Sequence, residues 1–256
     1  MKVYTDSPKF AELMVSGARW SSEYQTSADP EIRQVFRAVF DDRHVLEAEL
    51  QGRQRWQYLL AAESSVRSQY DMLIEQRRQK VRVPDRVLCL SGAGKGLHGL
   101  RQRPWAAEAG NIHLSVHLLP GESEIDSGIP FMVLAAISVV EAIDTIPGLE
   151  NAAGIKWVND ILIKGAKVAG VLAYTEGVGK SIDAAVLGIG LNVETTPTVE
   201  GTAYVPRVSS LRDHSTDPGS CKQGEVFRAL LESLDRNYQR LLDGQQSDLI
   251  ERYRQR

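Results

Sequence analysis

The sequence has little of what marks specialised protein classes. Its 256 residues include only two cysteines, Cys89 and Cys221, too few for a disulfide framework. Cys89 lies within the run Val87-Leu88-Cys89-Leu90, where a thiol behaves as a small hydrophobe. The formal net charge is only −3, which disfavours nucleic-acid binding as the main activity because phosphate neutralisation needs surplus cations. No apolar run reaches membrane-spanning length, and the first ten residues lack the basic and apolar regions of a signal peptide. A reducing, cytoplasmic location without membrane attachment is the expectation. Neither internal repeats nor low-complexity segments occur. What remains is ordinary: 43% hydrophobic and 25% charged residues, in a chain long enough to bury about three quarters of its unfolded surface.

Residues 1–54 carry apolar side chains at helical spacing (Phe10, Leu13, Met14; Val35, Phe36, Val39, Phe40) interrupted by Ser, Gly and Pro, and are read as two short helices of unknown role. A strand is predicted over 55–62, after which Ser64-Ser65 offers N-cap chemistry for a helix ending in Arg77-Arg78-Gln79-Lys80. Strands follow at Val87–Leu90 and Ile112–Leu119, then a helix, apolar nearly all round, at Pro130–Ile143. Segments at Ile155–Val158, Ile161–Ile163, Val168–Tyr174 and Ala184–Val193, with glycine turns at Gly165 and Gly177–Gly179, are too closely spaced for crossovers and imply antiparallel hairpins. A helix from Gly224 to Leu242, stopped by Gly244, is the last clear element. The fold class is α+β, a mixed and largely antiparallel sheet flanked by helices.

Three segments can carry chemistry. Gly92-Ala93-Gly94-Lys95-Gly96-Leu97-His98-Gly99 follows a strand and precedes Arg101, Arg103 and Trp105. Glycines let backbone N–H groups approach an anion, and the cations supply charge. Its spacing formally matches a dinucleotide fingerprint, but the expected following element is a strand rather than a helix. Alone, it reads equally as a flexible turn. The second segment is Lys156-Trp157-Val158-Asn159-Asp160-Ile161, with Lys167-Val168-Ala169-Gly170-Val171-Leu172 beyond a turn. A lysine within an apolar strand is costly to bury unpaired, so Lys156 is expected to face a cleft and an anion. Asn159-Asp160 reads either as a hairpin turn or, through Asp160, as a Mg²⁺ position. The third is Gly188-Ile189-Gly190-Leu191-Asn192-Val193, where strand glycines mark close approach by a ligand or merely tight packing.

Taken in order, these segments resemble the catalytic domain of the biotin protein ligase family, within the biotin/lipoate ligase superfamily. The family pattern is GRGRxGRxW, G-N-L-x-L-S, KWPND, K-(V/L)-A-G-(I/L)-L and G-(I/V)-G-(I/L)-N-V. The corresponding residues are Gly94 to Gly99 with Trp105, Gly110-Asn111-Ile112-His113-Leu114-Ser115, Lys156 to Ile161, Lys167 to Leu172, and Gly188 to Val193. Ser209-Ser210-Leu211-Arg212 is similar to the family's T-S-L-R/K element. The resemblance implies a class II synthetase-like catalytic domain over 55–256 and a two-step reaction. Biotin and MgATP would give biotinyl-AMP, and a lysine of a biotin carboxyl carrier or similar domain would then accept the acyl group. It assigns Lys156 and Lys95 to catalysis and Asp160 to Mg²⁺. The implied substrate and nucleotide contacts are Ser64, Ser65, Ser91, Gly94, Gly96, His98, Gly99, Arg101, Arg103, Trp105, Asn111, His113, Trp157, Asn159, Lys167, Gly170 and Asn192.

The departures are specific. The loop arginines are replaced by Lys95, Leu97 and Leu100, and lysine lacks the bidentate fork; Arg101 or Arg103 are candidates to compensate. The family glutamine that faces the biotin ureido ring is Ser91, and the S-T-N element aligns with either Glu63–Val66 or Ser68–Tyr70. Competing readings are a lipoate or octanoate ligase or transferase of the same superfamily, and an inactive ligase-like binding protein. No helix-turn-helix is evident in residues 1–54, so no operator-binding role is expected. A homodimer is compatible with the family, and the SH3-like domain that often follows the catalytic domain is expected to be absent.

Overall fold

The computed structural model describes residues 1–25, 29–51, 55–121, 125, 127–178, 181–199 and 207–256. Along the chain run β1 (Lys2–Thr5), α1 (Pro8–Met14), β2 (Arg19–Gln25), α2 (Arg33–Phe40), β3 (Val45–Glu49), β4 (Tyr58–Ser65), α3 (Gln69–Arg78), β5 (Val87–Gly94) and β6 (Ile112–Leu118). Then come α4 (Ile129–Ile143), β7 (Ala153–Lys156), β8 (Asp160–Ile163), β9 (Ala166–Val178), β10 (Ser181–Leu191), α5 (Gln223–Leu242) and α6 (Gln246–Arg254). The described strands form one sheet in the order β2-β3-β1-β4-β5-β6-β10-β9-β8-β7. Only the β1–β4 and β4–β5 pairs are parallel, and the β4–β5 pair uses α3 as the crossover that parallel neighbours require.

Strand alternation divides the interior. Leu59 and Ala61 of β4 and Leu88 and Leu90 of β5 face the larger core, which α1, α4 and α5 cover; Tyr58, Leu60, Val87 and Cys89 face a smaller core under α2 and α3. β6 alternates most strictly. Ile112, Leu114, Val116 and Leu118 enter the larger core, leaving His113, Ser115 and His117 on the opposite face, where they too are buried. That polar row sets the position of the site. α4 is buried on almost every side, packed on β7–β10 and against α5 and α6, as its uniform apolarity requires.

Several expectations are corrected. The two short helices of residues 1–54 exist as α1 and α2, but the segment is not merely helical: β1, β2 and β3 extend the common sheet. β1 is short and buried on both faces, Val3 toward one core and Tyr4 toward the other, so it shows no polar alternation to read. The residue-55 boundary also separates two hydrogen-bonded strands, β1 and β4. Ser64 and Ser65 finish β4 instead of capping α3; Ser68 is the cap, accepting a hydrogen bond from the Asp71 N–H at 3.2 Å. Asn159 falls in the β7–β8 connection, while Asp160 already opens β8 opposite Lys156. A further helix, α6, follows Gly244, whose φ of +75° suits glycine. The glycine turn expected at 177–179 lies partly outside the described residues. No helix among those described is long and apolar enough to cross a membrane.

Candidate active site

Four adjacent strands supply the floor of a cleft. Their register aligns Ser91, His113, Gly190 and Gly170 in one row and Cys89, Ser115, Gly188 and Leu172 in the next. The start of α3 (Ser68–Tyr70), the Leu97–Gly99 segment, Trp105 and Lys167 complete the walls. The glycines are required by what lies on them. A Cβ at Gly190 would sit 2.5 Å from indole carbons of Trp105, and one at Gly188 would meet the Tyr70 ring at 3.1 Å.

The Trp105 indole N–H donates to His113 Nδ1 at 3.2 Å, so the opposite nitrogen, Nε2, carries the proton and donates to the Glu108 carbonyl at 3.2 Å. Burial pushes the His113 pKa down to about 4, against the raising effect of that carbonyl. This histidine is a neutral fixture. Lys167 Nζ pairs with Asp160 Oδ1 at 2.6 Å, both side chains being 16% exposed, and stands 5.5 Å from the Trp105 ring centroid. A half-buried cation over an aromatic face, tethered by one carboxylate, is suited to an anion carrying a planar base.

In the glycine loop the Gly94, Lys95 and Gly99 N–H groups are already bonded to the carbonyls of Ala107, Ser65 and Arg103. Anion binding there falls to the intervening segment and to the exposed Lys95 side chain. Gly96 has φ +69°, a left-handed turn position that glycine takes without strain. His98 is anchored from both ring nitrogens, Nδ1 to the Gly99 carbonyl at 3.0 Å and Nε2 to the Asp71 carboxylate at 2.8 Å. Two acceptors call for two N–H groups. Burial lowers the His98 pKa most strongly as a single influence, but the Gly99 and Asp71 hydrogen bonds and the Asp71 charge together leave it raised above 6.5. The anchoring is therefore complete below that value and lost as pH climbs through the higher folded pKa. An NMR titration of the His98 ring should give a midpoint above 6.5 that falls in Asp71→Asn; a wild-type midpoint at or below 6.5 would contradict the anchoring.

Of the residues singled out in the sequence, Ser91, His98, Gly99, Trp105, His113, Asn159, Lys167 and Gly170 line the cleft. Ser65 joins through the Ser91 hydroxyl, which donates to its Oγ at 2.7 Å. Gly94, Gly96 and Lys95 belong to the adjoining loop, and Arg101 lies beside it in a groove with Tyr70, Asp71 and His98. Ser64, Arg103 and Trp157 are exposed, and Ser64 uses its carbonyl to accept from Arg43. Asn111 is committed to structure: its Oδ1 accepts from Val193 N–H and its amide donates to the Thr195 carbonyl. Asn192 donates to the Ser209 carbonyl, leaving its buried Oδ1 without a partner. Lys156 departs from expectation. It is exposed, because β7 is the sheet's terminal strand and Lys156 its last residue; it lies at the rim, opposite Asp160. Gln69 and Tyr70 also line the cleft; they lie in Ser68–Tyr70, one of the two stretches offered for the S-T-N element, at the start of the α3 that Ser68 caps. Asp160 is bound to Lys167, and among the described residues no group of three or more metal-ligating side chains occurs. The donor set does not fit a resident Mg²⁺.

Residues 90–192 match the family model described as the biotin/lipoate A/B protein ligase family. That stretch carries the likeness to the family. The chain is 32% identical over 155 residues to the biotin–[acetyl-CoA-carboxylase] ligase of Paracoccus denitrificans, covering 59% of this chain and 60% of that protein. It is 30% identical over 119 residues to the bifunctional ligase/repressor BirA of Bacillus subtilis (strain 168), covering 44% and 34% respectively. The chain thus spans less than two thirds of both curated relatives. In fold it is similar to the biotin protein ligase from Leishmania major in complex with biotin, with a TM-score of 0.58, 17% identity and coverage of 77% and 80%. The mixed, mostly antiparallel sheet expected from the sequence is that of the biotin protein ligase catalytic fold.

Proposed function

We propose that this domain is an ATP-dependent biotin–protein ligase. The observation that carries the reading is the Lys167–Trp105 pair on the Gly170 and Gly190 floor, beside a glycine loop and in a family segment that holds all of these residues. In the first step a carboxylate oxygen of biotin attacks the α-phosphorus of ATP, the bond to the bridging oxygen breaks, and pyrophosphate leaves. In the second, the ε-amine of a carrier-domain lysine attacks the acyl carbon, loses a proton and expels AMP. Bringing two anions together needs cations and N–H donors more than an enzyme nucleophile. Lys167 supplies charge from the cleft wall, Lys156 from the rim and Lys95 from the loop, while Trp105 offers a face for the base.

The enclosed space is about 50 Å³, against about 300–1,000 Å³ for an ordinary small-molecule site. Substrate entry therefore requires Trp105 and the Leu97–Gly99 segment to shift. Mg²⁺ would arrive on the nucleotide phosphates, which normally provide much of its coordination, and no step is assigned to it. The partner is a carrier domain, and no repressor role is proposed because residues 1–54 supply strands to the common sheet. Incubation with ATP and, separately, biotin, lipoate or octanoate should yield biotinyl-AMP by mass spectrometry, and a biotinylated lysine when carrier is added. Adenylate only with lipoate or octanoate would reassign the substrate, and none with any acid would identify a binding protein.

A further inference from the structure

One short piece of chain closes the cleft. Its ends are fixed by the Gly94 and Lys95 N–H groups, which donate to the carbonyls of Ala107 and Ser65. Between them Leu97–Trp105 folds back as a small hairpin, with the Trp105 N–H donating to the Leu97 carbonyl at 3.0 Å and the Gly99 N–H to that of Arg103 at 2.7 Å. Arg101 and Gln102 at its tip have φ of 58° and 59°, a left-handed conformation that costs residues with side chains and persists where the surroundings impose it. The hairpin carries Trp105, so the indole over Gly190 moves with it. On the far side runs a groove of about 530 Å³ along α3. Cleft and groove share one wall: Tyr70, His98, Gly99 and Leu172 line both. Within that wall His98 meets the Tyr70 ring edge-on, 6.3 Å between centroids, and its Nε2 reaches the Asp71 carboxylate at 2.8 Å, tying the hairpin to α3. Asp71 is itself placed by the helix start, where its N–H donates to Ser68.

We propose that Asp71 is a positioning residue that latches this hairpin, and Trp105 with it, over the cleft through His98, and that a proton on His98 sets the latch. The ring faces two acceptors, the Gly99 carbonyl and the Asp71 carboxylate; a neutral imidazole has one N–H and must turn a lone pair toward one of them. Burial is the largest single influence on the ring and lowers its pKa, but the Gly99 and Asp71 hydrogen bonds and the Asp71 charge together raise it above 6.5. The latch is therefore set below that value and released as pH rises through the folded pKa. The surrounding charges have other partners. Glu75 of α3 pairs with Arg67 and accepts from Gln79, Arg78 lies over the Tyr174 ring, and Lys167, across the cleft on β9, pairs with Asp160. Arg101 and Lys95 belong to the loop itself, and His113 of β6 is neutral. Release would join the closed cleft to the groove and let ligands pass. The latch rests on the ligase reading only for the identity of the molecule it retains.

Solvent exchange of the Trp105 indole N–H, measured by NMR in the free protein, tests this, because that N–H is bonded to His113 while the hairpin is seated. His113 titrates at about 4, so the acceptor does not change over the range used. The indole of Trp157, 76% exposed, corrects for the intrinsic acceleration of exchange by base. Protection of Trp105 relative to Trp157 should fall in wild type as pH rises through the His98 midpoint. Asp71→Asn should lower it about fivefold at a pH below 6.5, the scale of a half-exposed charge pair. His98→Arg, which keeps a cation beside Asp71 at every pH, should retain the protection and abolish its pH dependence, a rescue that altered packing alone would not give. Biotinyl-AMP formed on the enzyme should leave Asp71→Asn about fivefold faster than wild type at the same pH. Relative protection that is flat across the wild-type titration, or unchanged in a folded Asp71→Asn, would overturn the latch, as would a His98→Arg protein that still loses protection with pH. If Asp71→Asn does not fold, the wild-type series decides. Protection that follows the His98 titration in a protein forming no adenylate with any acid would leave the latch standing and remove the ligase reading.

Discussion

Replacing Lys167 with methionine should lower the rate of biotinyl-AMP formation about 100-fold, at the lower end of what removal of one preorganised charge-stabilising group costs. Lys167 is the cation inside the cleft: it is 16% exposed and held at 2.6 Å by Asp160. Partial burial strengthens its field at a bound phosphate relative to a solvated lysine. Methionine keeps much of the apolar stem while removing the charge, so packing against Trp105 is retained. Lys167→Arg should recover only part of the rate, because a planar fork does not occupy the place of a point charge. Single-turnover adenylate formation at saturating biotin and ATP is the appropriate measurement, and a methionine variant within threefold of wild type would exclude this role. Lys156, exposed on the rim, provides the comparison and should lose activity with less effect on apo-protein packing.

The largest expected stability effect lies outside the cleft. Arg86 is 7% exposed, paired with Asp235 of α5 and with Asp85 at 3.5 Å. Its guanidinium lies 4.7 Å from the Tyr238 ring centroid and 5.8 Å from that of Trp56. Trp56 in turn donates to the Leu231 carbonyl of α5 at 3.3 Å. One cation thus fastens α5 to the start of β4 and β5. Arg86→Leu leaves two carboxylates without their partner and should destabilise the fold by about 3–5 kcal/mol, as breaking a buried pair does. Urea unfolding should show a lower midpoint with an unchanged slope. Pairing Arg86→Leu with Asp235→Leu should restore part of the loss, because an apolar pair leaves one fewer stranded charge. A single variant within 1 kcal/mol of wild type would show that the clasp is solvated in solution.

How much was legible in the chain varies with the length of each pattern. α4 and α5 carry enough turns for their apolar spacing to be unambiguous, and β6 alternates over its whole length. β1 has four residues and two buried faces, which leaves no periodic signal. Ser64, Ser65 and Ser68 offer the same capping chemistry in sequence, and Ser68, three residues beyond Ser65, is the one that caps α3. Lys156 and Lys167 look alike in sequence. Strand order separates them, since β7 ends the sheet while β9 lies two positions further in.

Sequence alone carried the resemblance to the family, the α+β class and the set of glycines, because these depend on residue types in fixed order. It also pointed to charge concentrated around Gly94 and Lys156 in a near-neutral chain, of which the structure puts Lys156 outside the cleft lining. Tertiary structure decided which of those charges meet, because contacts between β5, β6, β10 and α3 join residues that are distant along the chain. It put His113 in a neutral, buried row, set Lys167 rather than Lys156 inside the cleft, and left the amide of Gln69 without a partner. Each follows from strand register and helix placement, which position side chains across the sheet and which no local pattern encodes.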